Sequence, residues 1–134
     1  MKFVLLVSIV VTVVYCKSPV FVEELEQLVE DEEVKTKLRN LAEDTNMIRS
    51  EKAEQLDVIL SGLSEDLQSD YRKKVDEEKT RMRNQLMDQK IEADRWGYRH
   101  ILAKIQAIRS DMSISDSKAE QLEEEVKLRV TYQY

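Results

Sequence analysis

The sequence has very few of the residues that interrupt helices or cross-link chains. It contains two glycines, one proline and one cysteine in 134 residues. A phosphate-binding loop needs several closely spaced glycines, so this kind of nucleotide site is excluded. The scarcity of glycine and proline, together with 36% charged residues, predicts an all-α fold.

Residues for nucleophilic catalysis are also scarce. His100 is the only histidine, and Cys16 is the only cysteine. A catalytic Ser or Cys must be activated by a neighbouring base. Pairs of carboxylates are present, but a helical chain with 27 acidic residues contains such pairs without any catalytic role. We therefore expect a protein that is not an enzyme, and a hydrolase that uses two acidic side chains is the competing class.

The N-terminus has the pattern of a secretory signal peptide. Residues 3–14 are almost entirely apolar, and Val14 and Cys16 stand at the two small-residue positions before a cut after Cys16. Charge returns at Lys17, and the apolar stretch is shorter than the about 20 residues of a membrane span. We predict a secreted, extracellular protein that is not anchored in a membrane.

Removal of residues 1–16 leaves a single helical domain, residues 17–134. This domain has no cysteine, so it depends on burial and helix packing instead of disulfides. The full chain carries a net charge of −6, and loss of Lys2 makes the mature chain more negative still. An acidic surface does not attract nucleic acid or anionic membranes, so neither is expected as the main partner.

Two stretches of the chain, residues 41–56 and 108–122, are nearly alike. Both contain Lys-Ala-Glu-Gln-Leu, at an offset of 66, and Asp44 and Asp111 in the preceding polar segments match at an offset of 67 if one residue is gapped between them. A repeated unit with an apolar stripe must bury that stripe against its copy or against a partner. The pattern predicts duplicated helix–loop–helix units and four to five helices in all.

Capping residues and apolar spacing locate the helices. Asp31 and Ser64 are predicted N-caps, and Ser117 with Glu120 reads as a capping box that opens the last helix. Helical spacing beside the duplicated loops predicts three core residues: Leu56, Ile105 and Leu122.

One long charged helix is predicted to join the two units. Helical spacing extends from Glu65 to about Arg109, and the middle of this stretch is dominated by charged residues. We favour a solvent-exposed strut over a weak coiled-coil seam, although the seam would allow self-association through this helix. Gly97 is the predicted position of any kink.

The polar loops offer oxygen atoms to a divalent cation. Counted from Asp44 or from Asp111, neither loop has the glycine at position 6 or the glutamate at position 12 of an EF-hand. A weak calcium or magnesium site is one hypothesis, and ordinary capping of helix ends is the other. The candidate ligands are Asp44, Asn46, Asp111, Ser113, Ser115 and Asp116.

An apolar ligand is a further hypothesis, because the only tryptophan stands next to a tyrosine and several isoleucines. These side chains would either line a pocket for a lipid or belong to an ordinary core. The candidate lining residues are Trp96, Tyr98, Ile101 and Ile105.

Several segments of the mature chain carry a family resemblance. They are Phe21 to Leu25, Leu38 to Leu60, Leu63 to Tyr71, and above all Ile105 to Ile114 followed by Lys118 to Leu122. In these segments the chain resembles the SXP/RAL family of small secreted nematode proteins, which is also described as an allergen-type cation-binding domain.

The resemblance covers nearly all of the mature chain. It implies a secreted, all-helical antigen at the host–parasite interface, with divalent-cation binding in some members and no established enzyme activity. The partner would be an unidentified protein or a small apolar ligand. A stathmin-like or coiled-coil immunomodulatory protein is the alternative, because the charged helix would also suit a coiled coil.

Overall fold

The computed structural model describes the backbone of residues 18–132 and the side chains of residues 18–130. The predicted signal peptide and its cleavage site lie outside the described residues. Within them the fold is all-α, as predicted, and has six helices. The helices are α1 Val22–Glu26, α2 Glu32–Glu43, α3 Arg49–Ser61, α4 Glu65–Trp96, α5 Arg99–Ser110 and α6 Asp116–Tyr132.

The predicted long helix is divided in two at Gly97, which accounts for the extra helix. Gly97 has a φ of 77°, in the left-handed region. Its N–H donates to the carbonyl of Asp94 at 3.3 Å, and the N–H of Tyr98 donates to the carbonyl of Ala93 at 2.8 Å. These bonds satisfy the last carbonyls of α4 and end it. The stretch from Glu65 to about Arg109 therefore forms two helices, and the break lies at Gly97, the predicted position of a kink.

Two of the three predicted N-caps are confirmed. The side chains of Asp31 and Ser64 accept hydrogen bonds from the first-turn N–H groups of α2 and α4. The capping box at Ser117 is wrong, because α6 has already begun there. Instead the Oγ atom of Ser115 accepts a hydrogen bond from the N–H of Lys118 at 3.1 Å.

The main core lies where α1, α2, α3 and the first part of α4 meet. The hydroxyl group of Tyr71 donates to the carbonyl of Phe21 at 3.1 Å and fixes the N-terminal segment on α4. Burial, and then the nearby charges of Glu24 and Asp57, raise the pKa of Tyr71 to about 12. The buried apolar side chains are Val20, Phe21, Val22, Leu25, Val29, Leu38, Leu41, Leu56, Tyr71 and Val75.

The second unit, formed by the end of α4 with α5 and α6, has a smaller core. Its buried apolar side chains are Ala93, Leu102, Ile105 and Ala119, and two of these are alanines. The core predictions for Leu56 and Ile105 are confirmed. The prediction for Leu122 is wrong, because Leu122 is only half-buried and Glu123 is the buried residue of that turn.

The two units correspond at an offset of 67, not at the offset of 66 that the identical pentapeptides show. Helices α2 and α5 both have 12 residues, and each second-unit helix begins 67 residues after its counterpart. Leu38 then corresponds to Ile105, and both are buried. Lys52 is buried whereas Lys118 is exposed, so the identical motifs do not hold equivalent positions.

In the part of the chain that the structure describes, no helix combines the length and the apolar character needed to span a membrane.

Candidate functional site

The two duplicated loops lie against each other. Ile48 and Ser115, which correspond at the offset of 67, form an isolated antiparallel bridge. Two further hydrogen bonds flank the bridge and are related by the same correspondence. They run from the N–H of Ser50 to the carbonyl of Met112 and from the N–H of Ser117 to the carbonyl of Thr45, each 2.9 Å long. The loops therefore pair with local two-fold pseudo-symmetry.

A cluster of buried charges lies beside this bridge. Arg49 and Lys52 are each only 1% exposed. The Nε atom of Arg49 donates to Oδ1 of Asp116 at 2.7 Å, and the Nζ atom of Lys52 donates to Oδ2 at 3.0 Å. Burial alone would raise the pKa of Asp116, but the hydrogen bonds from the two cations outweigh it and lower the pKa. We call Arg49, Lys52 and Asp116 the loop charge cluster.

Arg49 also binds the end of a helix in the other unit. Its Nη1 atom donates to the main-chain carbonyls of Ile108, Arg109 and Asp111, at 3.1, 3.2 and 3.1 Å. Carbonyl groups at a helix C-terminus lack intrahelical partners and form the negative end of the helix dipole. These three carbonyl groups balance the excess positive charge of the loop charge cluster. Arg49 in turn caps the C-terminal end of α5.

Sequence reasoning missed Arg49 and Lys52, although a signal was available. Arg49, Lys52 and Leu56 are all buried and follow helical spacing along α3. The two cations thus stand on the same stripe as a core leucine. Basic residues in line with an apolar stripe indicate a buried acidic partner, because burial of an unpaired charge is costly.

A second, largely buried ion pair lies between α5 and α6. Arg109 and Glu123 form two parallel hydrogen bonds of 2.9 Å, and their side chains are 13% and 7% exposed. At the corresponding positions the first unit has Ala42 and Leu56. The second unit therefore has an ion pair at the positions where the first unit has two apolar side chains.

The predicted cation ligands Asp44 and Asp111 hold turns at the ends of α2 and α5. Asp44 Oδ1 accepts from the N–H groups of Asn46 and Met47, at 3.1 and 3.0 Å. Asp111 Oδ1 accepts from the N–H and the hydroxyl group of Ser113, at 2.9 and 2.6 Å. The hydrogen bonds from Ser113 lower the pKa of Asp111.

The other predicted ligands are engaged in the same loops. Both carboxylate oxygens of Asp116 bind the buried cations, and Ser115 caps α6. Asn46 accepts a hydrogen bond from the hydroxyl group of Ser117 at 3.1 Å and so joins the two loops. Within residues 18–132, no group of three or more His, Cys, Asp or Glu side chains is arranged to hold a metal ion. The contacts match the capping hypothesis, and cation binding stays a prediction.

The four residues predicted for an apolar pocket have different environments. Ile105 belongs to the core, and Tyr98 and Ile101 are half-buried. Trp96 is exposed, and its indole N–H donates to Glu92 at 2.9 Å. A shallow cleft of about 510 Å³ lies elsewhere, between α1 and α2. Its lining is mostly charged: Glu23, Glu26, Gln27, Lys35, Arg39, Ala42 and Glu43.

Comparison with known proteins gives no relative: no family model, no curated protein and no solved structure matches the chain. The paired loops connect the two helix–loop–helix units, and the loop charge cluster holds these units together.

Proposed function

We propose that this chain is a secreted, non-enzymatic helical protein of the SXP/RAL type that binds a protein partner at the host–parasite interface. The observation that carries the proposal is the exposure of large apolar side chains on the outer part of α4. Met87, Ile91 and Trp96 are 58%, 59% and 47% exposed. Met87 and Ile91 are one helical turn apart and lie on the same side of α4. An exposed apolar surface bordered by charged residues is typical of a protein-binding site.

The chemistry of the loops supports a role without catalysis. Asp116 is ion-paired through both oxygens, which makes it a poor general base. His100, the only histidine, is an exposed residue of α5. A turnover that one Asp or Glu substitution abolished in a folded protein would contradict this part of the proposal.

The protein-binding site is tested by removing its apolar side chains. The variant Met87→Ser with Ile91→Ser is immobilised beside the unchanged protein and offered a mixture of extracellular host proteins. Val58→Ser is the matched control, because Val58 is 73% exposed but lies on α3. We expect the same proteins to be retained by the unchanged chain and the control and lost from the double variant. Retention of one set by all three would refute the site.

A small apolar ligand is the second candidate, because Trp96 is exposed at the C-terminal end of α4. Trp96 is the only tryptophan, so its emission reports on this region alone. Titration with a fatty acid should shift the emission to shorter wavelength if the ligand covers the indole ring. An unchanged spectrum would remove this candidate.

A further inference from the structure

The turn between α4 and α5 depends on the conformation of a single residue. Only Gly97 and Tyr98 separate the two helices. Gly97 has a φ of 77°, which residues with a side chain rarely adopt. A Cβ atom built at Gly97 would meet nothing within 4 Å. The backbone conformation of Gly97, and not close packing around it, therefore allows the chain to turn here.

The sequence around this turn is equally compatible with one continuous helix. Residues 65–109 contain no proline, and their spacing favours helix throughout. If Gly97 adopted the ordinary helical conformation, α4 and α5 would join end to end. The unit of α5 and α6 would then swing away from the first unit.

The contacts that opening would break all join residues on opposite sides of Gly97. They include the bridge between Ile48 and Ser115, the ion pairs of Arg49 and Lys52 with Asp116, and the bonds from Arg49 to the end of α5. A second copy of the chain offers the same groups in the same geometry. Each broken contact can therefore form again between two opened copies.

We propose that two copies of this chain form a dimer by exchanging α5 and α6 across Gly97. In this dimer each loop charge cluster takes Arg49 and Lys52 from one copy and Asp116 from the other. The two extended helices pass each other near Gly97. Exchange thus keeps the contacts between the two loops.

The hinge is tested by Gly97→Ala. Alanine is disfavoured in the left-handed conformation of the closed turn and favoured in the continuous helix. We expect the equilibrium constant between the closed turn and the continuous helix to shift about tenfold toward the helix at each Gly97→Ala position. A dimer contains two such positions, so its formation should be favoured roughly a hundredfold. The control is Gly62→Ala, because Gly62 has a φ of −81° and an added Cβ makes only an ordinary contact of 3.5 Å. Light scattering after size exclusion, over a series of concentrations, measures the mass.

A dimer fraction that rises in Gly97→Ala and not in Gly62→Ala supports the exchange. Equal masses for both variants at every concentration would overturn it.

The exchange itself is tested by two complementary variants. One carries Arg49→Met and Lys52→Met, which leaves the partly buried Asp116 without its cations. The other carries Asp116→Ala, which leaves both buried cations without a carboxylate. Neither closed chain can complete its loop charge cluster. In an exchanged dimer of the two variants, one cluster is intact and the other is wholly apolar.

The two variants are unfolded together, refolded as a mixture and compared with each variant refolded alone. We expect the mixture to give a species of twice the mass of one chain and a melting temperature close to that of the unchanged protein. Neither variant needs to fold alone for this result. A mixture that behaves as two separate chains would overturn the proposal. So would a dimer with an unrecovered melting temperature, because association through α4 alone leaves both clusters incomplete.

Discussion

The loop charge cluster makes a quantitative prediction for Asp116→Ala. The change removes the only acidic partner of Arg49 and Lys52 in the contacts described above, and both cations are 1% exposed. Breaking a buried ion pair by removal of one partner typically costs about 3–5 kcal/mol. The side chain of Asp116 is 21% exposed, and Arg49 keeps its three carbonyl acceptors. We therefore expect a loss near the lower limit, about 3 kcal/mol at neutral pH.

Urea unfolding at neutral pH measures this loss of unfolding free energy. The triple variant Arg49→Met, Lys52→Met and Asp116→Ala is the matched control, because it leaves no buried charge without a partner. It should be more stable than Asp116→Ala alone. A loss below about 0.5 kcal/mol for Asp116→Ala, which is typical of a surface site, would refute the reasoning.

The same carboxylate makes stability depend on pH in a defined direction. The pKa of Asp116 is lower in the folded chain than its ordinary value of 3.8. The unfolded chain therefore binds a proton at higher pH than the folded chain does. The contribution of Asp116 is present above pH 3.8 and is lost as the pH falls through the lowered pKa. Asp116→Ala should remove this part of the acid dependence.

Four further predictions concern other parts of the chain. Arg109→Ala with Glu123→Leu recreates the apolar pair of the first unit and should be neutral or stabilising in urea unfolding, whereas Glu123→Leu alone should destabilise because it leaves a buried cation. Tyr71 should titrate by ultraviolet absorbance near pH 12, and its contribution to stability, present below its ordinary pKa of 10, should disappear as the pH rises above 10. Calcium and magnesium at millimolar concentration should raise the melting temperature little, and any rise should weaken in Asp111→Asn. Mass spectrometry of the secreted protein should give Lys17 as the mature N-terminus, and a retained leader would contradict the signal-peptide prediction.

Local signals in the sequence were sufficient for much of the fold. The caps at Asp31 and Ser64 depend on the chemistry of a few neighbouring residues, so each could be predicted without the rest of the chain. Gly97 could be predicted as the position of a kink, but not whether the helix is divided there. The burial of Glu123 in place of Leu122 could not be predicted from the neighbouring residues. The identical pentapeptides align the repeats at 66 and the aspartates align them at 67, and only the folded chain shows that the helices follow the offset of 67.

The candidate site shows the same limit. The sequence correctly drew attention to the two polar loops, because their aspartates and serines are typical of turns and caps. It did not reveal that Asp116 binds Arg49 and Lys52, since these partners are more than sixty residues distant along the chain. Both carboxylate oxygens of Asp116, predicted as ligands of an external cation, are held by cations that the chain itself provides.

The two copies of Lys-Ala-Glu-Gln-Leu are chemically identical and yet present different surfaces. In the first copy Lys52 and Leu56 are buried, whereas in the second Lys118 is exposed and Ala119 is buried. An antibody raised against the free pentapeptide would therefore meet two unlike surfaces on the folded protein. A lysine-modifying reagent would label the second copy and spare the first. The chain repeats itself in sequence, but only the second copy presents its lysine to the molecules around it.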